Sequence, residues 1–232
     1  MAVEDRTGRA LKREVLDLLV HADLDQCIRA LLLFPARKVI NPLFSLLLHH
    51  DEAIRWRAVT AFGAVVSNLA DQDKESARVI MRRLMWSLND ESGGIGWGAP
   101  EAMAEIIARN DAMAGEFGAV FVSYMDPEGN FLEYPPLQRG LLWGMARLAE
   151  VRPASVASAI EYMEPYLESA DPTIRGLAAL VAGRLAARDL RPTMERLLGD
   201  EAEFAVFHDY RFESHTVGKL AQQGIALLEE RG

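Results

Sequence analysis

Over most of its 232 residues the chain repeats apolar residues with the 3.6-residue period of a helix that buries one face. Long stretches of alternating apolar and polar residues, which would indicate strands, are absent. One segment recurs clearly: residues 51–58 (DEAIRWRA) return at residues 171–178 (DPTIRGLA). The pattern therefore predicts a helical protein built from a sequence repeat.

Three weaker copies of this segment align with the two strong ones. The first apolar residues of the five copies are Ile54, Ile95, Leu137, Ile174 and Val217, at intervals of 41, 42, 37 and 43 residues. Counted from these residues, positions +4, +7, +8 and +11 are apolar or glycine in every copy, and they fall within about a third of a turn. Position +9 is small in all five copies: Gly63, Ala104, Ala146, Gly183 and Ala226. Each copy predicts a helix with one buried face and a small residue where a neighbour comes close.

Each of these helices follows another apolar helix, so the repeat is a helix pair. The preceding helices are predicted at residues 36–49, 74–88, 112–125, 155–168 and 191–198. Residues 7–20 and 23–34 predict a truncated further pair. We expect one all-α domain over residues 1–232, with a capping pair at 1–35, five repeats at 36–230 and no sheet.

A helix pair every ~40–47 residues is typical of HEAT and armadillo repeats. The Asp-x-x-Ile-Arg-x-x-Ala pattern resembles HEAT repeats, specifically the HEAT-like repeats named after phycobilisome lyases, over about residues 36–230. The resemblance implies an α-solenoid of about five to six helix pairs in a right-handed superhelix, with the second helices on its concave side. It also implies that Asp51 and Asp171 cap second helices, and that Arg55 and Arg175 tie neighbouring repeats together.

Composition narrows the function. Lys and Arg number 25 against 34 Asp and Glu, a net charge of −9, and both halves of the chain are acidic. That balance argues against binding nucleic acid through its phosphates. The single cysteine, Cys27, excludes an internal disulfide and a cysteine-based zinc site. With no signal-peptide pattern and no apolar run of membrane length, we expect a cytoplasmic protein that binds no membrane and no cofactor.

Three segments between paired helices are unusually long: residues 90–100, 126–136 and 199–214. They contain seven aromatic residues: Trp97, Phe131, Tyr134, Phe204, Phe207, Tyr210 and Phe212. Insertions in repeat proteins fall on one face, often the binding face. We expect these loops to pack back onto the repeats, with coverage of a ligand as the alternative.

Two motifs in or beside these loops are candidate binding sites. The glycines of residues 91–100 (ESGGIGWGAP) could present amide groups to an anion, but no strand precedes them and no Lys-Ser/Thr follows, which favours a purely conformational turn. His208, Asp209 and His215 lack the i, i+4 spacing of a helical zinc pair. We assign no metal site to them.

Positions +2, +6 and +10 point away from the buried stripe and would line a groove on the concave face. They place three of the four tryptophans on one surface, interleaved with charged residues. The candidate binding residues are Trp56, Trp97, Glu101, Glu105, Arg139, Trp143 and Arg147. Tryptophan and arginine anchor many interfaces. The alternative is that the tryptophans fill the seams between repeats and that the charges pair with each other.

These features favour a non-catalytic scaffold that binds another protein or a peptide through its concave face and aromatic loop rim. No catalytic residue is assigned, and the oligomeric state is left open. Three alternatives remain: a small-ligand-binding protein, a bilin lyase, or an enzyme similar to the HEAT-like alkylpurine DNA glycosylases. The glycosylase resemblance rests on Trp97, Glu101 and Arg139, and the net charge argues against it. The site is expected where the groove meets the rim, at repeats two and three.

Overall fold

The computed structural model of the chain describes residues 8–21, 23–89 and 96–230. They form two compact units, Met1–Met113 and Ala114–Gly232. Both are built mainly from packed helices, as predicted. A single domain and a right-handed superhelix stay predictions.

The first unit has two layers of helices. Helices α1, α3 and α5 form one layer and α2, α4 and α6 the other, with the closest packing between α4 and α6. The bounds are α1 Gly8–His21, α2 Leu24–Leu31, α3 Ala36–Leu46, α4 Glu52–Gln72, α5 Lys74–Leu88 and α6 Ala99–Arg109. The predicted helix pairs of this part of the chain are therefore present.

The second unit is centred on three second helices, of which the middle one packs against both others. Its helices are α7 Asp111–Ser123 (whose first three residues belong to the first unit), α8 Pro135–Val151, α9 Glu164–Leu167, α10 Pro172–Arg184, α11 Arg191–Arg196 and α12 Val217–Glu230. Helices α8, α10 and α12 are the second helices. Two 3-10 helices, Pro153–Tyr162 and Arg188–Leu190, and two strands, β1 Glu203–His208 and β2 Arg211–Thr216, complete it.

The predicted caps are confirmed. Oδ1 of Asp51 accepts hydrogen bonds from the amides of Ala53 (2.9 Å) and Ile54 (3.2 Å) at the start of α4. Asp171 makes the equivalent bonds at the start of α10. Such caps satisfy amide groups that have no partner inside the helix, and each contributes about 1 kcal/mol.

The predicted tie between repeats is confirmed for Arg175 but differs for Arg55. Arg175 Nε donates to Oδ2 of Asp200 at 2.7 Å, and its Nη1 donates to the carbonyl of Ala170 at 2.9 Å. The bond to Asp200 joins α10 to the segment that follows α11, and the bond to Ala170 holds the turn just before α10. Arg55 instead pairs with Glu52 in its own helix, at 2.9 Å.

The prediction of a regular helix over residues 155–168 is wrong. The chain forms a 3-10 segment, Pro153–Tyr162, kinked at Val156 (φ −130°), and then the single turn of α9. Pro165 explains the interruption, because it has no amide hydrogen to donate four residues back and its ring crowds that carbonyl. Val156 and Ala159 are the only buried residues of the 3-10 segment, so little apolar burial is available to stabilise a longer helix.

The prediction of no sheet is also wrong. Strands β1 and β2 pair antiparallel in a hairpin, with Phe204 opposite His215 and Phe207 opposite Phe212. Asp209 and Tyr210 form its two-residue turn, with φ of +44° and +66°. Positive φ at both positions is the pattern of a type I′ turn, which suits the twist of a hairpin. The expected loop at 199–214 is therefore largely this hairpin.

Small residues at position +9 allow second helices to touch, as predicted. A Cβ built on Gly63 of α4 would lie 2.5 Å from the Cβ of Glu105 on α6. A Cβ on Gly183 of α10 would overlap the backbone of Gly224 on α12. The backbone of α12 cannot move aside as a flexible side chain would, so Gly183 is a packing requirement.

Substitution of Gly183 by leucine should lower the free energy of unfolding by about 1–3 kcal/mol, because the leucine side chain overpacks the α10–α12 contact. The melting temperature should fall accordingly. Thermal unfolding followed by far-UV circular dichroism measures this. Gly115→Ala is the matched control, since Gly115 lies on an exposed face of α7 with open space around it. That change should leave stability unchanged or raise it by up to ~1 kcal/mol. An unchanged melting temperature in Gly183→Leu would contradict the close contact.

Tyr210→Gly should stabilise the hairpin by about 1 kcal/mol, because glycine adopts positive φ without the steric cost that a Cβ carries. The tyrosine ring is about half exposed, so little packing is lost. Amide hydrogen exchange of residues 203–216 and thermal unfolding measure the effect. Tyr210→Ala removes the ring but keeps the Cβ, and it should not reproduce the gain. Equal stability in the two variants would show that the turn conformation carries no strain.

Candidate functional site

The contacts between α4 and α6 fix which residues share one level of the first unit. Gly63 meets Glu105, and one turn further along both helices Ser67 Oγ donates to the carbonyl of Arg109 at 3.2 Å. Both contacts join residues 42 positions apart. The two helices therefore run parallel with an offset of 42 residues.

This offset brings three of the candidate residues to one end of the α4–α6 pair. Trp56 is level with Gly98 and hence with Trp97 beside it, and Glu101 follows one turn later at the level of Val59. Trp97 is 41% exposed and Trp56 is partly buried. We call the surface formed by Trp56, Trp97 and Glu101 the tryptophan face.

Glu101 is the chemically unusual member of the tryptophan face. Its Oε2 atom is buried and has no hydrogen-bond partner among the described residues. Burial raises the pKa of Glu101 to about 7, although a bond to its own backbone amide and the positive charge of Arg55 oppose this. A buried carboxyl oxygen without a partner is stabilised when a ligand supplies a hydrogen-bond donor.

Glu105 does not belong to the tryptophan face, contrary to the prediction. Its side chain is buried, and Oε2 accepts from Arg109 Nε at 2.7 Å within α6. Its Cβ lies against the backbone of α4 at Gly63. Glu105 is therefore a packing residue with an ion pair, and it is inaccessible to a partner.

In the second unit the predicted groove surface is covered by the chain itself. Trp143 on α8 is only 9% exposed, and its Nε1 donates to the carbonyl of Phe207 on β1 at 2.7 Å. The ring of Phe204 lies against Gly176 on α10, where a Cβ would be 2.5 Å from a ring carbon. Both Trp143 and Gly176 were expected to line an open groove. The hairpin occupies this place, which corrects the assignment of Trp143 as an exposed binding residue.

The two arginines of α8 pair with carboxylates. This agrees with the alternative interpretation, in which the charged residues of the groove pair with each other. Arg139 Nε donates to Oδ2 of Asp171 at 2.6 Å and so ties two repeats together. Arg147 lies 4.0 Å from Glu150, within its own helix. Arg139 thus has the structural role expected of the repeat arginines, which removes the main support for the glycosylase-like set.

The aromatic residues of the long loops divide into two groups. Phe207 is buried and Phe204 packs on α10, as expected of loops that fold back. The others are each more than a third exposed: Trp97, Phe131, Tyr134, Tyr210 and Phe212. The expectation of packing is therefore correct for the inward side of the hairpin only.

The glycine-rich segment is described from Gly96 onward, and Gly93 and Gly94 lie outside the described residues. Gly98 has φ +75° immediately before α6, and a Cβ there would be 3.1 Å from the side chain of Leu47. The positive φ favours glycine, and the nearby Leu47 side chain leaves little room for a Cβ. The conformational role expected for the turn therefore applies at Gly98.

Other features of the described residues offer less. A cavity of about 370 Å³ in the second unit contains Arg175, Asp200, Arg196 and Glu168, which already form two ion pairs. No cluster of His, Cys, Asp and Glu in the described part of the chain could hold a metal ion. Within the same residues, no helix has the length and apolar character needed to cross a bilayer.

Two functional features were missed from the sequence. The hairpin is signalled by the short apolar run at residues 204–207 (FAVF), which is rich in aromatic and β-branched residues, and by Asp209 at the turn. Trp86 was not assigned to any surface, yet its side chain is 81% exposed on α5. The sequence does indicate this exposure, because Trp86 lies outside the apolar stripe of the helix predicted at residues 74–88.

No family model matches the chain. One relative, an uncharacterised protein of Archaeoglobus fulgidus, is 27% identical over 169 residues, which cover 73% of this chain and 85% of the relative. This relationship supplies no activity.

Solved structures similar to this chain include designed armadillo repeat proteins. A designed armadillo repeat protein in complex with the peptide (KR)4 has a TM-score of 0.50 at 18% identity, covering 93% of this chain and 98% of that one. An engineered protein has a TM-score of 0.52 at 17% identity, covering 95% and 97%. The chain therefore has an all-α solenoid fold of the HEAT/armadillo type.

The raised pKa of Glu101 predicts a pH-dependent stability. Between its ordinary value of 4.5 and about 7, the unfolded chain loses this proton while the folded chain keeps it, so folding becomes less favourable as pH rises. Glu101→Gln should therefore be more stable than the parent at pH 8, by about 1–3 kcal/mol, and nearly equal to it at pH 4.5. Denaturant unfolding at both pH values tests this. The exposed Glu201→Gln is the control, and a pH profile shared by both variants would contradict the burial of Glu101.

Proposed function

We propose that the protein is a non-catalytic scaffold that binds a peptide segment of another protein, and that the tryptophan face of the first unit is its binding site. The observation that carries this is the buried Oε2 of Glu101, which has no partner among the described residues and lies one turn from the exposed Trp97. An aromatic wall beside an unsatisfied acceptor suits the binding of a polar chain. The proposed binding residues are Trp56, Trp97 and Glu101.

The chemistry of this face favours a basic side chain in the ligand. A lysine or arginine donates hydrogen bonds to a carboxylate and stacks on tryptophan, and both interactions strengthen in a partly dry site. A net charge of −9 would attract such a ligand from a distance. The designed armadillo neighbour is in complex with (KR)4, which supports a basic peptide as the first probe.

Two finer assignments belong to the same proposal. The Asp-x-x-Ile-Arg-x-x-Ala pattern supports HEAT-like repeats of the phycobilisome-lyase type, and a cytoplasmic location is part of the proposal. The exposed loop aromatics Phe131 and Tyr134 remain candidates for a contact rim. Neither the repeat type nor the location changes the proposed site.

Fluorescein-labelled (KR)4 titrated with the protein, followed by fluorescence anisotropy, tests the proposal. Trp97→Ala and Glu101→Gln should each weaken binding roughly tenfold, because each removes a central contact. Two controls match them: Trp86→Ala removes an exposed tryptophan elsewhere, and Glu201→Gln removes one exposed negative charge. Equal losses in variants and controls would indicate attraction to net charge alone and would overturn the site.

A further inference from the structure

Helix α5 exposes a continuous outer face, from which the side chain of Arg83 also reaches across to α3. Its exposed residues are Glu75, Val79, Arg82, Arg83 and Trp86, which fall within about 100° of the helical wheel. Trp86 is 81% exposed and Val79 is 55% exposed. We call these five residues the α5 outer face.

The surroundings of this face are basic, although the chain is acidic. Helices α3 and α5, with the cap residue Asp73, contain two acidic residues, Asp73 and Glu75, and six basic ones: Arg37, Lys38, Lys74, Arg78, Arg82 and Arg83. Side chains connect the two helices, since Arg83 Nη1 donates to Oδ1 of Asn41 at 2.6 Å. In a protein of net charge −9, this is a local excess of positive charge on one two-helix surface.

The arginines are held in place around the exposed apolar side chains. The guanidinium of Arg83 lies 3.8 Å from the centre of the Phe44 ring. Arg78 and Arg82 both bond to Glu75, at 3.2 and 3.0 Å, and hydrogen bonding to Arg78 contributes most to lowering the pKa of Glu75. Fixed arginines bind a carboxylate with less loss of side-chain entropy than mobile ones.

We infer that the α5 outer face is a second interaction surface, for an acidic protein segment that carries apolar side chains. Val79 and Trp86 are two turns apart, about 10 Å along the helix, so they provide two separate apolar contacts. Tryptophan flanked by arginine is the combination that dominates binding energy in protein interfaces. Carboxylates of the partner would pair with Arg82 and Arg83 beside these contacts.

Charge arrangement favours an acidic peptide over nucleic acid. Glu75 lies on the helical wheel between Arg82 and Trp86, where it would repel a continuous phosphate chain. A peptide can place an apolar residue at this point and its carboxylates on either side. The inference does not depend on the tryptophan face, because it involves a different helix layer and the opposite ligand charge.

A random dodecapeptide phage library, selected on the parent protein and depleted on Trp86→Ala, tests the inference. The enriched peptides should contain more Asp and Glu than the input library, together with aromatic or aliphatic residues. Fluorescence anisotropy with the most enriched peptide should then show roughly tenfold or greater weakening in Trp86→Ala, and weaker binding with a smaller salt dependence in Arg82→Ala. Trp97→Ala is the matched control and should bind normally.

Several results would overturn the inference. These are enrichment of basic or purely apolar peptides, no difference between the parent and Trp86→Ala, or equal loss in Trp97→Ala. Tight, salt-sensitive binding of a dT20 oligonucleotide that is lost in Trp86→Ala would assign the face to nucleic acid instead. Concentration-dependent self-association lost in Trp86→Ala, measured by light scattering, would assign it to a second copy of the chain.

Discussion

The close approach of successive second helices is the constraint on which the rest of the structure depends. Gly63 lies against Glu105 in the first unit, and in the second unit Gly183 lies against Gly224, which lies against Ala179. A contact of this kind tolerates no sliding, because a shift by one residue places a Cβ inside a neighbouring backbone. It therefore fixes the offset between helices, and the offset decides which side chains meet at the ends of each pair.

Local signals sufficed for the helices and caps, whereas the candidate site depended on longer-range detail. Asp51 and Asp171 were expected as caps from the resemblance to HEAT repeats, and each bonds to amides only two and three residues away. Glu105 was misassigned because position +10 was expected to point away from the buried stripe, whereas its Cβ lies against Gly63 of α4. Trp143 could not be placed from its own neighbourhood, since its partner, the carbonyl of Phe207, is 64 residues away.

The hairpin shows what a tryptophan on this side of a repeat can do. Trp143 donates from its indole to the backbone carbonyl of an extended strand, and Phe204 of the same strand fills the space above Gly176. The strand is thus bound through one backbone atom and one side chain, as an extended peptide would be. In the first unit Trp56 lies on α4 and Trp97 lies two residues before α6, where it remains exposed. The hairpin is therefore an internal example of an extended segment bound by a tryptophan of a second helix.

Folding energetics alone do not explain Glu101 or Trp86. A buried carboxyl whose pKa is raised to about 7 lowers stability at neutral pH, and a glutamine there would avoid that cost. A tryptophan that is 81% exposed contributes little burial, and a polar residue would serve α5 equally well. Residues that lower stability without a compensating structural contribution concentrate at functional sites. The two lie on different layers of the first unit and in opposite charge environments, so one ligand chemistry does not account for both. Two binding surfaces that prefer ligands of opposite charge, as proposed, would account for both Glu101 and Trp86.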